Sequence, residues 1–162
     1  MELYILRHGI AVDAQPGLAD SARELTSEGR EKVAAVARMA RKAGVEPSLI
    51  LTSPYVRAVQ TAKIAAGELG YSGHLLKTEA LRPFGTPRGV WDELRDHADE
   101  SAVLLSGHEP LLSQLVGYLL NAPSMQVEMK KATLVRIDLS GHGAVPRGAL
   151  RWMITARLAS LL

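Results

Sequence analysis

Three short apolar runs, Leu3–Leu6, Leu49–Leu51 and Ala102–Leu105, each end in a polar turn, and helix-spaced apolar residues follow each of them. Runs of three to five such residues bounded by turn formers read as strands buried on both faces. Strands that alternate with helices pair in parallel, and parallel strands expose all their carboxyl ends on one edge of the sheet. Open α/β sheets bind their ligands at that edge. The pattern therefore directs attention to the residues that close each run.

The first run closes on Arg7-His8-Gly9. A guanidinium offers a two-pronged fork to phosphate oxygens, an imidazole serves as nucleophile or proton carrier, and glycine lets the backbone turn. Alone, the tripeptide reads equally well as a strand that stops at two polar residues. The second run continues as Thr52-Ser53-Pro54-Tyr55-Val56-Arg57. Ser53 suits an N-cap and Pro54 the first helical position, with Tyr55, Val59, Ala62, Ala66 and Leu69 on one helix face and a stop at Gly70. Arg57 then falls in the first turn, where the helix dipole disfavours a cation unless an anion is near. The third run leads into Gly107-His108-Glu109-Pro110, followed by Leu111, Leu112, Leu115, Val116 and Leu119 at helical spacing. If the junctions share one edge, Arg7, His8, Arg57 and His108 converge into a pocket for a dianion, with a nucleophile built in.

The remainder reads as scaffold. Ile10–Arg23 is a loop, and Thr26 or Ser27 caps a helix that runs to Gly44. His74–Lys77 is an edge strand, Glu79–Gly89 a loop passing near the pocket, and Val90–Ala98 a short helix. Two more strands fall at Thr133–Leu139 and Leu150–Thr155, around a glycine-rich turn at Gly141–Gly148. No repeat or linker interrupts residues 1–162, which predicts one domain. With 47% hydrophobic but only 4% aromatic residues, the core is expected to be aliphatic. Nineteen bases are interspersed with 17 acids, which argues against a nucleic-acid groove. The absence of cysteine excludes a disulfide framework, a cysteine-based zinc site and a thiol nucleophile. No apolar run nears the roughly 18–20 residues that span a membrane, and the start carries no secretion signal, so a soluble cytoplasmic protein is expected. His74, His97 and His142 lack junction context and metal-ligand spacing. Trp91 and Trp152 read as packing residues, and Arg23 and Arg82 as solvated cations.

Taken together, the Leu-Arg-His-Gly start, Leu25-Thr26-x-x-Gly29, Ser53-Pro54-x-x-Arg57-Ala58-x-Gln60-Thr61-Ala62 and Gly107-His108-Glu109-Pro110 resemble the histidine phosphatase superfamily. The short length, Arg82-Pro83-x-Gly85 and His-Glu-Pro resemble its SixA-type phosphohistidine phosphatase branch. The resemblance runs from residue 1 to about residue 120. It implies a phosphoglycerate mutase-like fold, a three-layer α/β/α sandwich on a mostly parallel sheet. It also implies His8 as the nucleophile that forms a phosphohistidine intermediate, and Arg7 and Arg57 as clamps on the phosphoryl oxygens beside Gly9. His108 would donate a further hydrogen bond, with neither metal nor organic cofactor required.

Relatives that cleave phosphate esters use a carboxylic acid from the region after the second helix. Here Thr78-Glu79-Ala80-Leu81-Arg82-Pro83-Phe84-Gly85 lacks the expected acid a few places after Glu79, leaving Glu79 and Glu109 as candidates. An alkoxide needs a proton to leave, whereas the imidazole of a phosphohistidine, a ring that titrates near pH 6.5 when free, can already carry one and then leaves as a neutral ring. Cleavage of N–P bonds is therefore expected over O–P bonds. The expected partner is a phosphohistidine-containing protein, such as a phosphorelay domain or carrier. The alternatives are a small phosphorylated metabolite, or a phosphate-binding module without turnover.

Overall fold

A computed structural model describes residues 1–162. Six strands form one sheet: β1 (Glu2–Arg7), β2 (Leu49–Thr52), β3 (Leu75–Lys77), β4 (Ala102–Gly107), β5 (Leu134–Leu139) and β6 (Gly148–Ile154). Their order is β3-β2-β4-β1-β5-β6. The first four strands run parallel, as their helical crossovers require, while β5 pairs antiparallel with both β1 and β6.

Alternation along β1 sends its side chains to two separate cores. Leu3 and Ile5 pack with α3 (Pro87–Asp96) and α4 (Leu111–Leu119), together with Trp91 and Leu105. Tyr4 and Leu6 face α1 (Ser27–Lys42), α2 (Val56–Leu69) and the short α5 (Ala156–Ala159). Three layers result, and both cores are mainly aliphatic.

The local signals for α1 act as read. The Thr26 hydroxyl accepts the Gly29 N–H, and Gly44 leaves the helix at a φ of +80°. The start of α2 differs from the expectation. Ser53 does not cap it and Pro54 is not its first residue; the helix begins two positions later, at Val56, behind Tyr55. The Ser53 hydroxyl accepts the Tyr55 N–H and is also engaged by His108, which holds the junction extended for two more residues. Arg57 is nonetheless the second helical residue. The edge strand, α3 and the C-terminal pair lie within a few residues of their expected positions. A 3₁₀ turn at Asp20–Ala22 and the four-residue α5 are additions. No helix is long and apolar enough to cross a membrane.

Candidate active site

The carboxyl ends of β1, β2 and β4 lie side by side, with Arg7 in register with Gly107 and Thr52 with Ser106. His8 follows β1 directly, and its backbone is fixed on both flanks. Its N–H donates to the Gly107 carbonyl (3.0 Å), and its own carbonyl accepts from Ala132 N–H (3.2 Å). Its side chain is buried. Nδ1 lies 2.7 Å from the Gly9 carbonyl, an acceptor only, so Nδ1 carries the proton and Nε2 the lone pair.

Arg57 reaches that lone pair from α2. Its Nε donates to His8 Nε2 at 3.3 Å, while Nη1 and Nη2 donate to the Asp20 carbonyl (2.7 Å) and carboxylate (3.2 Å). The guanidinium lies over the Tyr55 ring, with Cζ 5.1 Å from its centre, and is buried. His108 completes the set from the β4–α4 turn. Its ring centre is 5.1 Å from that of His8 and 5.1 Å from Tyr55, which it meets edge-on. His108 Nε2 lies 2.8 Å from the Ser53 hydroxyl, and its buried Nδ1 has no partner in the protein. Arg7 donates from Nη1 to the Met129 carbonyl (2.8 Å), whereas its buried Nε is unpartnered. The four residues expected to converge are thus brought together.

Electrostatics follow from burial among cations. The His8 pKa is pushed down to about 3, first by desolvation and then by Arg57, Arg7 and Lys131, against the pull of the Gly9 carbonyl. The His108 pKa is likewise pushed down to about 3, first by desolvation, then by His8 and Arg57. Both rings are therefore neutral near pH 7. A neutral imidazole lone pair beside two guanidiniums suits attack on a tetrahedral anion. No three His, Asp or Glu side chains gather in a way that would hold a metal ion.

Gly9, Glu79 and Glu109 make contacts within the protein. The Gly9 N–H, expected beside phosphate, donates to Thr61 Oγ1 (3.1 Å), which in turn donates to the Arg57 carbonyl (2.8 Å). Gly9 serves close packing instead, since a Cβ there would fall 2.9 Å from the Gly29 carbonyl oxygen. Glu79 is exposed and paired with Arg82 at 2.5 Å. Glu109 lies near Arg7, but its carboxylate accepts the Ser113 N–H (2.8 Å) in the first turn of α4. Neither carboxylate bonds to His8, Arg57 or His108.

Sequence reasoning passed over Asp20, Ser53 as a partner of His108, Tyr55 as a wall, and the whole Met129–Ala132 segment. Asp20 lies in a loop without periodicity, so only its partner Arg57 in the fold identifies it. Thr61 and Gln60 carried a signal in their motif. Gln60 accepts the Leu25 N–H (2.8 Å) and donates to Glu24 (3.1 Å), tying the β1–α1 loop to α2.

The chain is similar to known proteins in sequence and in fold. The sequence profile of the histidine phosphatase superfamily (branch 1) matches residues 3–85. The phosphohistidine phosphatase SixA of Escherichia coli strain K12 is 30% identical over 151 residues, covering 88% of this chain and 89% of its own. A solved structure of the protein histidine phosphatase SixA complexed with tungstate superposes with a TM-score of 0.86 at 26% identity, covering 97% of this chain and 98% of that one. A mycobacterial glucosyl-3-phosphoglycerate phosphatase shares the fold at a TM-score of 0.68 and 23% identity, over 92% of this chain and 96% of its own.

Proposed function

The chain belongs to the histidine phosphatase superfamily, and from that premise we propose that it removes the phosphoryl group from a phosphohistidine protein. The observation that carries this reading is the state of His8. Its Nδ1–H is tied to the Gly9 carbonyl, its Nε2 lone pair accepts from Arg57 Nε at 3.3 Å, and its pKa of about 3 keeps Nε2 unprotonated. In the first step Nε2 bonds to phosphorus as the substrate's N–P bond breaks, and the substrate imidazole, already protonated on its other nitrogen, takes the electron pair and leaves as a neutral ring. In the second step water bonds to phosphorus, the His8–phosphorus bond breaks, and phosphate departs.

Arg57 and Arg7 supply positive charge for the equatorial oxygens throughout, the role that metal ions fill in other phosphoryl-transfer enzymes, so the reading requires no metal. His108 Nδ1, buried and unpartnered, is the remaining site for a phosphoryl oxygen when it carries the proton. Glu79 pairs with Arg82 and Glu109 accepts the Ser113 N–H, so neither carboxylate is bonded to His8, Arg57 or His108. This supports an imidazole over an alkoxide as the group that leaves, and hence a phosphohistidine domain or carrier of a phosphorelay as the substrate.

The test is turnover of a phosphohistidine protein beside a panel of phosphate monoesters, followed by ³¹P NMR. The expected result is preference for the N–P bond, with His8→Ala lowering the rate by about 10³-fold or more. Faster cleavage of a sugar phosphate would move the protein to the small-molecule phosphatases. Phosphate binding without any turnover would make it a binding module. Undiminished activity in His8→Ala would overturn the mechanism.

A further inference from the structure

Beside Arg7, on the side of α1 and α5, an open groove of about 620 Å³ is lined by Lys32, Lys130, Lys131 and Arg157, with Glu128 the only carboxylate. The whole chain carries 19 bases against 17 acids, so this local excess is a property of the fold and not of composition. It is assembled from one helix, the segment before β5 and the last helix, and therefore leaves no cluster in the sequence. On the other side of Arg7 the adjoining cleft bears two carboxylates, Glu109 and Glu128, and no second base. The charge at the mouth of the site is thus directional.

We propose that this groove docks the acidic face of the phosphoprotein substrate and steers its phosphohistidine to His8, an inference that rests on the function proposed above. The form of the charge separates a protein from a small polyanion. Lys32 and Lys130 hold their ammonium groups in solvent, with side chains 44% and 73% exposed, and their pairs with Glu28 (2.7 Å) and Glu128 (4.0 Å) are surface pairs. Such solvated cations present no fixed donor set for a compact ligand. They do create a potential that reaches about 8 Å into physiological buffer, which accelerates encounter with an acidic surface. Continuity with Arg7 means that a domain settled on the groove brings its edge to the phosphoryl site. Lys131 lies close enough to depress the His8 pKa, so the same field extends to the nucleophile.

The experiment compares the wild type with a Lys130→Glu, Arg157→Glu double variant, neither position being part of the reacting set. Two substrates are used: N-phosphoimidazole, and a histidine-phosphotransfer domain of net negative charge that has been phosphorylated on its histidine. The expected result is a fall in kcat/KM of roughly tenfold or more on the domain at low salt, carried by KM. The rate on N-phosphoimidazole stays unchanged, and the salt dependence seen with the domain flattens. Equal losses on both substrates, or no loss on the domain, would overturn the docking surface. Wild-type turnover of N-phosphoimidazole without turnover of the domain would overturn it too, while leaving N–P cleavage standing. No turnover of either would remove the functional reading and the groove together. Binding of a short oligonucleotide that the double variant loses, with turnover of the domain unaffected, would assign the groove to nucleic acid instead.

Discussion

At His8 and His108, pH and stability are linked with a definite sign. Both folded pKa values are about 3, below the ordinary imidazole value near 6.5, so the unfolded chain takes up these protons first. Their contribution to stability is complete above about pH 6.5 and is lost as the pH falls from there toward 3. Urea unfolding is expected to give a free energy that falls across that window more steeply than in a His8→Asn, His108→Asn variant. In NMR titrations neither ring should show a protonation step between pH 8 and 5. A step near 6.5 at His8 would mean that its Nε2 is not held unprotonated. Asp20 gives a second prediction at this scale. It binds Arg57 through both a carbonyl and a carboxylate, and its own pKa is lowered by Arg23 and Arg57 in spite of some desolvation. Asp20→Ala removes only the carboxylate contact, so Arg57 should lose orientation without losing charge. The expected effect is a fall in kcat of about tenfold, with Asp20→Asn recovering part of it through its remaining oxygen. An unchanged kcat in both would show that Arg57 is positioned without Asp20. The same residues mark what the sequence disclosed. Arg7, His8 and His108 follow apolar runs and Arg57 falls in the first turn of the helix after one, and those positions foretell where they gather. Asp20 and Ser53 act through partners 37 and 55 positions away, which no local pattern encodes.

Among the elements, the turn after His8 crosses α1 too closely to admit a side chain on either glycine. A Cβ on Gly29 would stand 2.1 Å from the Ile10 carbonyl oxygen, and one on Gly9 would stand 2.9 Å from the Gly29 carbonyl oxygen. Backbone lies against backbone there, so no side-chain rotation relieves the clash. Gly29→Ala is expected to destabilise the fold by about 3 kcal/mol and to reduce turnover, because the displaced loop follows directly from His8. Gly67, within α2, is the matched control. Nothing lies within 4 Å of its added Cβ, so Gly67→Ala should stabilise by about 0.5–1 kcal/mol and leave activity alone. Thermal and urea unfolding of the two variants checks both signs. Most elements were legible because buried runs, caps and glycine stops agree with one another. The start of α2 was misplaced because Ser53 is drawn to His108, a tertiary partner that overrides its capping preference. The segment between α4 and β5 gave no reading at all. It lacks periodicity and enters with Asn121 and leaves with Ala132 at positive φ, an irregular path fixed by the residues it covers.

Over the whole molecule, the sheet order places β1 between parallel β4 and antiparallel β5, so the His8 turn is braced from two sides that differ in kind. The parallel half supplies Arg57 and His108. The antiparallel half, through the segment that leads into β5, supplies the Met129 carbonyl to Arg7, the Ala132 N–H to His8 and the basic groove. The parallel half could be read as a reactive edge from its repeated junctions, whereas the part played by the C-terminal strands depends on their antiparallel return beside β1. This architecture concentrates a buried and a half-buried arginine and leaves Arg7 Nε and His108 Nδ1 without partners, an arrangement that an anion relieves. Orthovanadate or phosphate at 100 times its dissociation constant should therefore add about 2.7 kcal/mol to the unfolding free energy. For a chain of 162 residues that corresponds to a rise in melting temperature of roughly 5–10 °C. Arg57→Ala should abolish most of the rise by removing a clamp. Lys130→Glu should keep it, because the groove acts on a partner's surface and not on the bound anion. A scan of the three proteins with and without orthovanadate separates these roles. Loss of the shift in Lys130→Glu would place that lysine in the anion site itself.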